Sequence, residues 1–308
     1  MLSRRTFLHD STAGILAVAL LGNPFAGSMR KPRLKISLAQ WSLHRALQGG
    51  KLDHLDFVNR AASFGIDGVE YVNSFFKDKA RNSAYLAEMN LRAEDAGVRQ
   101  LLIMIDGEGG LGETNETLRK QAVDNHRKWL DAAHALGCHS IRVNAYGEST
   151  DREARHVATV EGLGELSTLA AQAGLNVIVE NHGGLSSDGS WLAGVMKAVN
   201  MPNCGTLPDF GNFCVRSGNT AMGEKPCAEE YDRYRGVEEL MPFAKAVSAK
   251  SYDFDAKGDE TTIDFARMIG LVKDAGYKGY VGIEYEGSRL PEEDGIRMTK
   301  ALLDRLIG

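Results

Sequence analysis

One joint recurs along this chain and narrows what it can fold into: an amphipathic helical run ends at a glycine, and an apolar strand begins within a few residues. The joint reads Ser63-Phe-Gly65-Ile-Asp-Gly-Val-Glu70, Asp95-Ala-Gly97-Val-Arg-Gln-Leu-Leu-Ile103, Ala135-Leu-Gly137-Cys-His-Ser-Ile-Arg-Val143, Gln172-Ala-Gly174-Leu-Asn-Val-Ile-Val179 and Asp274-Ala-Gly276-Tyr-Lys-Gly-Tyr-Val281. Glycine supplies the left-handed residue that closes a helix, so the repetition has a backbone cause. Two further joints, Asn200-Met-Pro-Asn-Cys204 and Pro242-Phe-Ala-Lys-Ala246, lack that glycine.

The apolar runs predict strands over 34–41, 66–72, 98–105, 140–146, 176–181, 204–210, 246–253 and 280–285. Helices are expected between them at 52–64, 82–96, 113–136, 151–173, 189–199, 228–243 and 262–275, with a last one at 292–307. Eight strand–helix units in a chain of 308 residues match a single α/β (β/α)8 TIM barrel. A doubly wound open sheet shares the alternation, but no Gly-x-Gly-x-x-Gly follows the first strand. A hydrophobic content of 43% suffices for a full core, and no linker or composition shift divides the chain.

Residues 1–28 read as an export signal of the twin-arginine type, with the barrel assigned to 29–308. Ser3-Arg4-Arg5-Thr6-Phe7-Leu8 precedes a short apolar run from Ala13 to Leu21 and a small-residue stretch around Ala26-Gly-Ser28. That run is too short to span a bilayer, so the expectation is an exported, periplasmic protein with no membrane span in its mature part. The net charge of −5 argues against a nucleic-acid partner. Cysteines 138, 204, 214 and 227 show no CxxC spacing; Cys214 and Cys227 pair across a loop or stay as thiols.

In a barrel of this kind the strands' C-terminal ends carry the chemistry. The run Asn176-Val-Ile-Val-Glu180-Asn-His182-Gly-Gly184 is a strand buried on both faces that ends in a carboxylate, an amide and an imidazole. The sixth, seventh and eighth strands likewise end at Asp209, at Lys250 and Asp253, and at Glu284 and Glu286. Earlier strand ends add Gln40, Trp41 and His44; Glu70, Tyr71 and Asn73; Asp106; and Asn144 and Tyr146. Residues 211–227 form the longest connection and are read as a lid over the same rim.

With Val179-Glu180-Asn-His, Pro208-Asp209-Phe-Gly-Asn212 and Gly282-Ile-Glu284-Tyr in view, the chain resembles the xylose-isomerase-like TIM-barrel superfamily of sugar phosphate isomerases and epimerases, over essentially all of 34–308. The resemblance implies one divalent ion held by a Glu, an Asp, a His and a second Glu. Three of these map onto Glu180, Asp209 and Glu284. The fourth departs: the family's His-x-Lys on the seventh strand reads Ser248-Ala-Lys250 here. The expected cofactor is therefore a hard divalent cation, Mn²⁺ or Mg²⁺, completed by water or His182, unless Lys250 supplies the counter-charge instead.

The chemistry expected of such a site is proton removal next to a carbonyl. Glu180 and Glu284 are the candidate acid and base, with Lys250 as a third catalytic group. His182, Asn212, Trp41 and Glu70 are the candidate contacts to a small sugar, with Glu70 alternatively paired to Lys250. His44, His126, His134, His139 and His156 receive no role. That geometry would serve isomerisation, epimerisation or β-elimination from a 3-keto-glycoside, on an unphosphorylated substrate, since Asp253 and Glu286 would repel a phosphate. An endonuclease of the same superfamily is disfavoured by the few rim histidines. A catalytically silent periplasmic sugar binder is the alternative outside enzymes.

Overall fold

The computed structural model describes residues 34–218 and 227–308, so the export-signal reading of 1–28 lies outside the described residues. Eight barrel strands are β1 (Lys35–Ala39), β2 (Gly68–Val72), β3 (Arg99–Met104), β4 (Ser140–Val143), β5 (Asn176–Glu180), β6 (Cys204–Leu207), β7 (Val247–Ser251) and β8 (Tyr280–Tyr285). They pair in parallel in the order β6-β5-β4-β3-β2-β1-β8-β7. The ring closes between β6 and β7 through the bridges Thr206↔Ala244 and Asp209↔Ser248. Ser248 N donates to Pro208 O at 2.9 Å and Phe210 N to Ser248 O at 3.1 Å across that seam.

All eight expected strands are present, and all but β2 and β8 stop earlier than their apolar runs suggest. The residues that follow leave the ladder for the loops that build the mouth. The joint glycines explain the alternation: Gly65, Gly97, Gly137, Gly174 and Gly276 have φ between 65 and 73°. At the glycine-free joint after Val199, Asn200 takes the left-handed conformation instead, with φ 46°. Helices α1 (Phe57–Ser63), α2 (Ser83–Ala96), α3 (Glu116–Ala135), α4 (Arg152–Gln172), α5 (Gly189–Val199), α6 (Arg233–Leu240), α7 (Phe265–Asp274) and α8 (Glu292–Ile307) surround the ring. Asn82, Asn115, Asp151, Asp188, Asp232 and Asp264 cap α2 to α7 by accepting backbone N–H groups of the first turn.

One expectation fails. The helix expected over 228–243 starts only at Arg233, because Cys227–Glu230 pairs antiparallel with Cys214–Ser217 in a hairpin. A disulfide between Cys214 and Cys227 fixes that pairing, and the Asp232 cap sets the helix start. The segment expected to be a lid therefore begins and ends in a cross-linked hairpin; residues 219–226 lie outside the described residues. Cys138 and Cys204 are buried free thiols.

Two apolar layers hold the barrel. The larger lies between strands and helices, where Val69, Ile103, Ile141, Val177, Val179, Val281 and Ile283 meet Phe57, Trp129, Leu163, Leu192 and Leu303, all fully buried. Each such side chain contributes roughly 1.5–3 kcal/mol relative to exposure. The smaller fills the barrel itself with Ala39, Val72, Leu102, Met104, Ile178, Leu207 and Ala246, and Trp41 and Phe75 pack on it. The remaining interior positions are polar, which is where the site begins. Among the described residues no helix is long and apolar enough to cross a membrane.

Candidate active site

Glu180 ends β5, Asp209 follows β6 and Glu284 lies in β8, on the far side of β7, so three sectors of the ring each contribute one carboxylate. One oxygen from each lies within 4.8 Å of the others, and all three residues are buried. The convergence expected from the strand ends is present. Isolated burial of such groups is prohibitive, so their partners decide what the cluster can do.

Glu180 receives Asn212 Nδ2 at 3.0 Å on Oε1, while Oε2 lies 2.7 Å from Arg142 Nε. That second contact is an ion pair without hydrogen-bond alignment, because both atoms lack a bonding partner. Asp209 accepts Gly211 N and Asn212 N at 2.8 Å on Oδ1, and Ser248 Oγ at 2.5 Å on Oδ2. Ser248 also stands 3.3 Å from Glu284 Oε2. Lys250 Nζ lies 3.3 Å from Glu284 Oε1, 3.3 Å from Glu286 Oε1 and 3.1 Å from Asn212 Oδ1. The turn Asp209-Phe-Gly-Asn212 admits this because a Cβ on Gly211 would come 2.7 Å from Tyr252 Oη and 3.0 Å from Lys250 Cδ.

Burial pushes Glu180 and Asp209 up to about 7, with Arg142 opposing it at Glu180 and Lys250 at Asp209. Burial acts on Glu284 in the same sense, but Lys250 and then Arg142 outweigh it and hold that carboxyl below the usual range. Lys250 is raised despite its burial, by Asp209, Glu284 and Glu286. The site thus pairs an ionised carboxylate with a neighbour that holds a proton near neutrality, the separation that acid–base chemistry requires.

Two site residues escaped the sequence reading. Arg142, 3% exposed inside β4, links Glu180 to Asp106, whose Oδ1 accepts its Nη1 at 2.7 Å. Its signal was available: an arginine within Ser140-Ile-Arg-Val143 must find anions if the strand is buried. Asn181 locks the loops by donating to Asp209 O and Asn212 O at 3.0 and 3.1 Å and accepting Asp209 N at 2.8 Å.

Other expected residues are placed differently. His182 is not in the carboxylate cluster and lines an adjacent cavity, so a metal contact from it is not formed. Burial, with Arg142 and Lys250 nearby, lowers its pKa and favours the neutral ring, although its outer face is open to solvent. Glu70 pairs with Ser37 Oγ at 2.6 Å rather than with Lys250. It packs on Gly282, where a Cβ would come 2.6 Å from Glu70 Oε1. Gly282 is two residues before Glu284 on the same strand face, so Glu70 sits one layer beneath the cluster. Trp41 stands at the mouth, stacked on His44 at 4.8 Å and 6.1 Å from Phe75. Among the histidines given no role, His126 and His134 are tied to the backbone carbonyls of Ala122 and Ala173, and His139 to Ser140.

The donor set fits a hard divalent cation. Arg142 and Lys250 are shared with Asp106 and Glu286, so they do not neutralise the three carboxylates, and Glu180 Oε2 accepts no hydrogen bond. Oxygen donors of this kind suit Mn²⁺ or Mg²⁺, and Ser248 leaves no imidazole on β7 to complete the set.

The family described as xylose isomerase-like TIM barrel matches residues 58–306. Similar solved structures include an apo 3-keto-D-glucoside 4-epimerase, YcjR, from E. coli (TM-score 0.67, 15% identity, 89% of this chain and 100% of that one). A D-psicose 3-epimerase solved in the presence of D-fructose is alike to the same degree (0.68, 14%, 89% and 100%). So is the IolI protein with a bound zinc atom (0.67, 15%, 89% and 98%). At these identities the likeness establishes the fold. A stretch of 65 residues is 37% identical to the C-glycoside deglycosidase alpha subunit of Arthrobacter globiformis. It covers 20% of this chain and 18% of that relative.

Proposed function

Because the chain belongs to the xylose isomerase-like TIM-barrel family, we propose that it is an exported, divalent-metal-assisted enzyme that removes a proton next to the carbonyl of an unphosphorylated sugar or keto-sugar. The observation that carries this reading is the convergence of Glu180, Asp209 and Glu284, one oxygen of each within 4.8 Å of the others. These three carboxylates would hold the ion, which when bound supplies Lewis-acid polarisation of a carbonyl oxygen. Glu284, kept ionised by Lys250, takes the proton as the C–H bond breaks and its electron pair moves to the carbonyl oxygen. Glu180 would deliver a proton to the opposite face of the carbon, which inverts that centre. Lys250 and Asn212 fix the two carboxylates, and Trp41 with Phe75 supplies an apolar wall for the sugar's face.

A second reading is supported by the short match to a C-glycoside deglycosidase subunit. On a 3-keto-O-glycoside the same proton removal at C2 would break the C1–O bond, form a C1–C2 double bond and release the aglycone with a proton from the second carboxyl. Both readings share their first step, so one assay tests both. Keto-sugars and 3-keto-glycosides are incubated with the protein and Mn²⁺ in D₂O, and loss of the carbon-bound proton signal is followed by NMR. Exchange is expected, and Glu284→Gln and Glu180→Gln are each expected to slow it at least ~100-fold. Saturable binding without exchange would identify a silent sugar binder, and exchange that survives in both variants would overturn the two-glutamate mechanism.

A further inference from the structure

Beside the carboxylate cluster, and not lined by it, lies a cavity of about 670 Å³. Its walls come from the loops after β3, β4 and β5 and from the start of α3, including Gly109, Leu118, Asn125, Tyr146, Arg155 and His182. Two points join it to the site. His182 follows Glu180 by two residues, and Asn144 Nδ2 donates at 2.7 Å to the same Asp106 oxygen that Arg142 reaches. A sugar held over Glu180, Asp209 and Glu284 leaves this volume unfilled.

We propose that the cavity is a subsite for a second ring joined through the anomeric carbon of the reacting sugar, so that the substrate is a glycoside and not a free monosaccharide. The proposal rests on the chemistry assigned to the carboxylate cluster, which fixes where the reacting ring lies. The volume falls in the range of sites that enclose small organic ligands. Tyr146 and Leu118, 57% and 55% exposed, place an aromatic ring and an aliphatic side chain on its walls, where a flat ring can stack. Arg155 and Asn144 add polar side chains to the wall, Arg155 only 8% exposed and held by Nη2 on Ala145 O at 2.9 Å.

The walls are also fixed in advance. Gly112 N donates to Tyr146 O at 2.7 Å. A Cβ on Gly147 would come 2.2 Å from Gly112 O, and one on Gly110 would come 2.6 Å from Tyr146 O. Only glycine lets these two loops meet so closely, and binding then costs little ordering. Glu113 and Glu148 line the cavity against the single cation Arg155, which disfavours an anionic occupant. The ligand class is therefore a neutral, hydroxyl-bearing ring with a face that can stack, either aryl or a second pyranose.

The test compares three 3-keto-glucosides with the intact protein and Mn²⁺: methyl, 4-hydroxyphenyl and glucosyl. The wild type is expected to favour at least one ring-bearing substrate over the methyl glycoside by about tenfold in kcat/KM, carried by KM, as stacking of one ring allows. In Tyr146→Ala and Leu118→Asp that ratio is expected to fall close to one, and the aryl and glucosyl arms identify the ring. Equal kcat/KM for all three substrates, or a ratio unchanged in both variants, would overturn the subsite even with proton exchange intact. If no substrate turns over, the reaction assigned to the glutamates is lost, and calorimetry with the same three ligands decides the subsite alone. Ring-bearing ligands then bind about tenfold tighter than the methyl glycoside, weakened in Tyr146→Ala, or the subsite is wrong.

Discussion

Replacing Glu70 by Gln isolates the energetic cost of one buried carboxyl. Glu70 is 1% exposed, accepts only Ser37 Oγ at 2.6 Å, and leaves Oε2 without a partner. Burial pushes its pKa up to about 8 from an ordinary 4.5, and the negative charges of Glu284 and Glu180 act in the same direction. A carboxyl raised in the folded state stabilises the fold fully below about pH 4.5, and that stability is lost as pH rises toward 8. With one pKa unit worth about 1.4 kcal/mol, ionising Glu70 between pH 5 and pH 8 removes about 3 kcal/mol. Glutamine keeps the shape and cannot ionise. For a barrel of this size the Glu70→Gln protein should gain about 6 °C in Tm over wild type between those pH values. Thermal unfolding followed by circular dichroism, with EDTA present at each pH, measures the difference. Two curves that stay parallel from pH 5 to pH 8 would show that Glu70 is solvated or paired in the folded protein, and the argument from its burial would fall.

The carboxylate cluster predicts a stabilising metal: Mn²⁺ at about a hundred times its Kd should add ~2.7 kcal/mol, or about 5 °C, at pH 8. Asp209→Asn should remove most of that shift. The shift should also shrink as pH falls through 7, because protons then compete for Glu180 and Asp209. Arg142→Met strands Glu180 and Asp106 without their shared cation and should cost about 3–5 kcal/mol in denaturant unfolding. Adding Glu180→Gln to that variant should recover part of the loss, and an additive double mutant would argue against the ion pair.

The fold was largely legible because its signals are local. Gly65 or Gly174 closes a helix through its own φ, and Asp151 or Asp264 starts one through bonds to residues two or three positions on. Val177-Ile-Val179 declares a strand buried on both faces. The one misread element shows where this fails. Cys227–Glu230 carries no strand pattern, and it pairs with Cys214–Ser217 beside a disulfide that the sequence offered as one of two alternatives without showing the hairpin it closes. Within the site, Glu180, Asp209, Glu284, Lys250 and Asn212 could be found because each stands at or just beyond a strand end. Strand position gives a side chain's face but not its depth or neighbours, so it did not show that Glu70 pairs with Ser37 and not with Lys250.

By itself the sequence determined the succession of strands and helices and the end of the barrel that carries the carboxylates, since both follow from residues adjacent along the backbone. Only the tertiary structure decided which charges meet. Arg142 reaches Glu180 and Asp106, Ser248 bonds to Asp209 where the family has a histidine, and Lys250 is divided between Glu284 and Glu286. The physical reason is that charge acts through space across strands far apart in the chain, so which charges pair depends on how the strands are staggered when the ring closes. No spacing along the chain encodes that stagger.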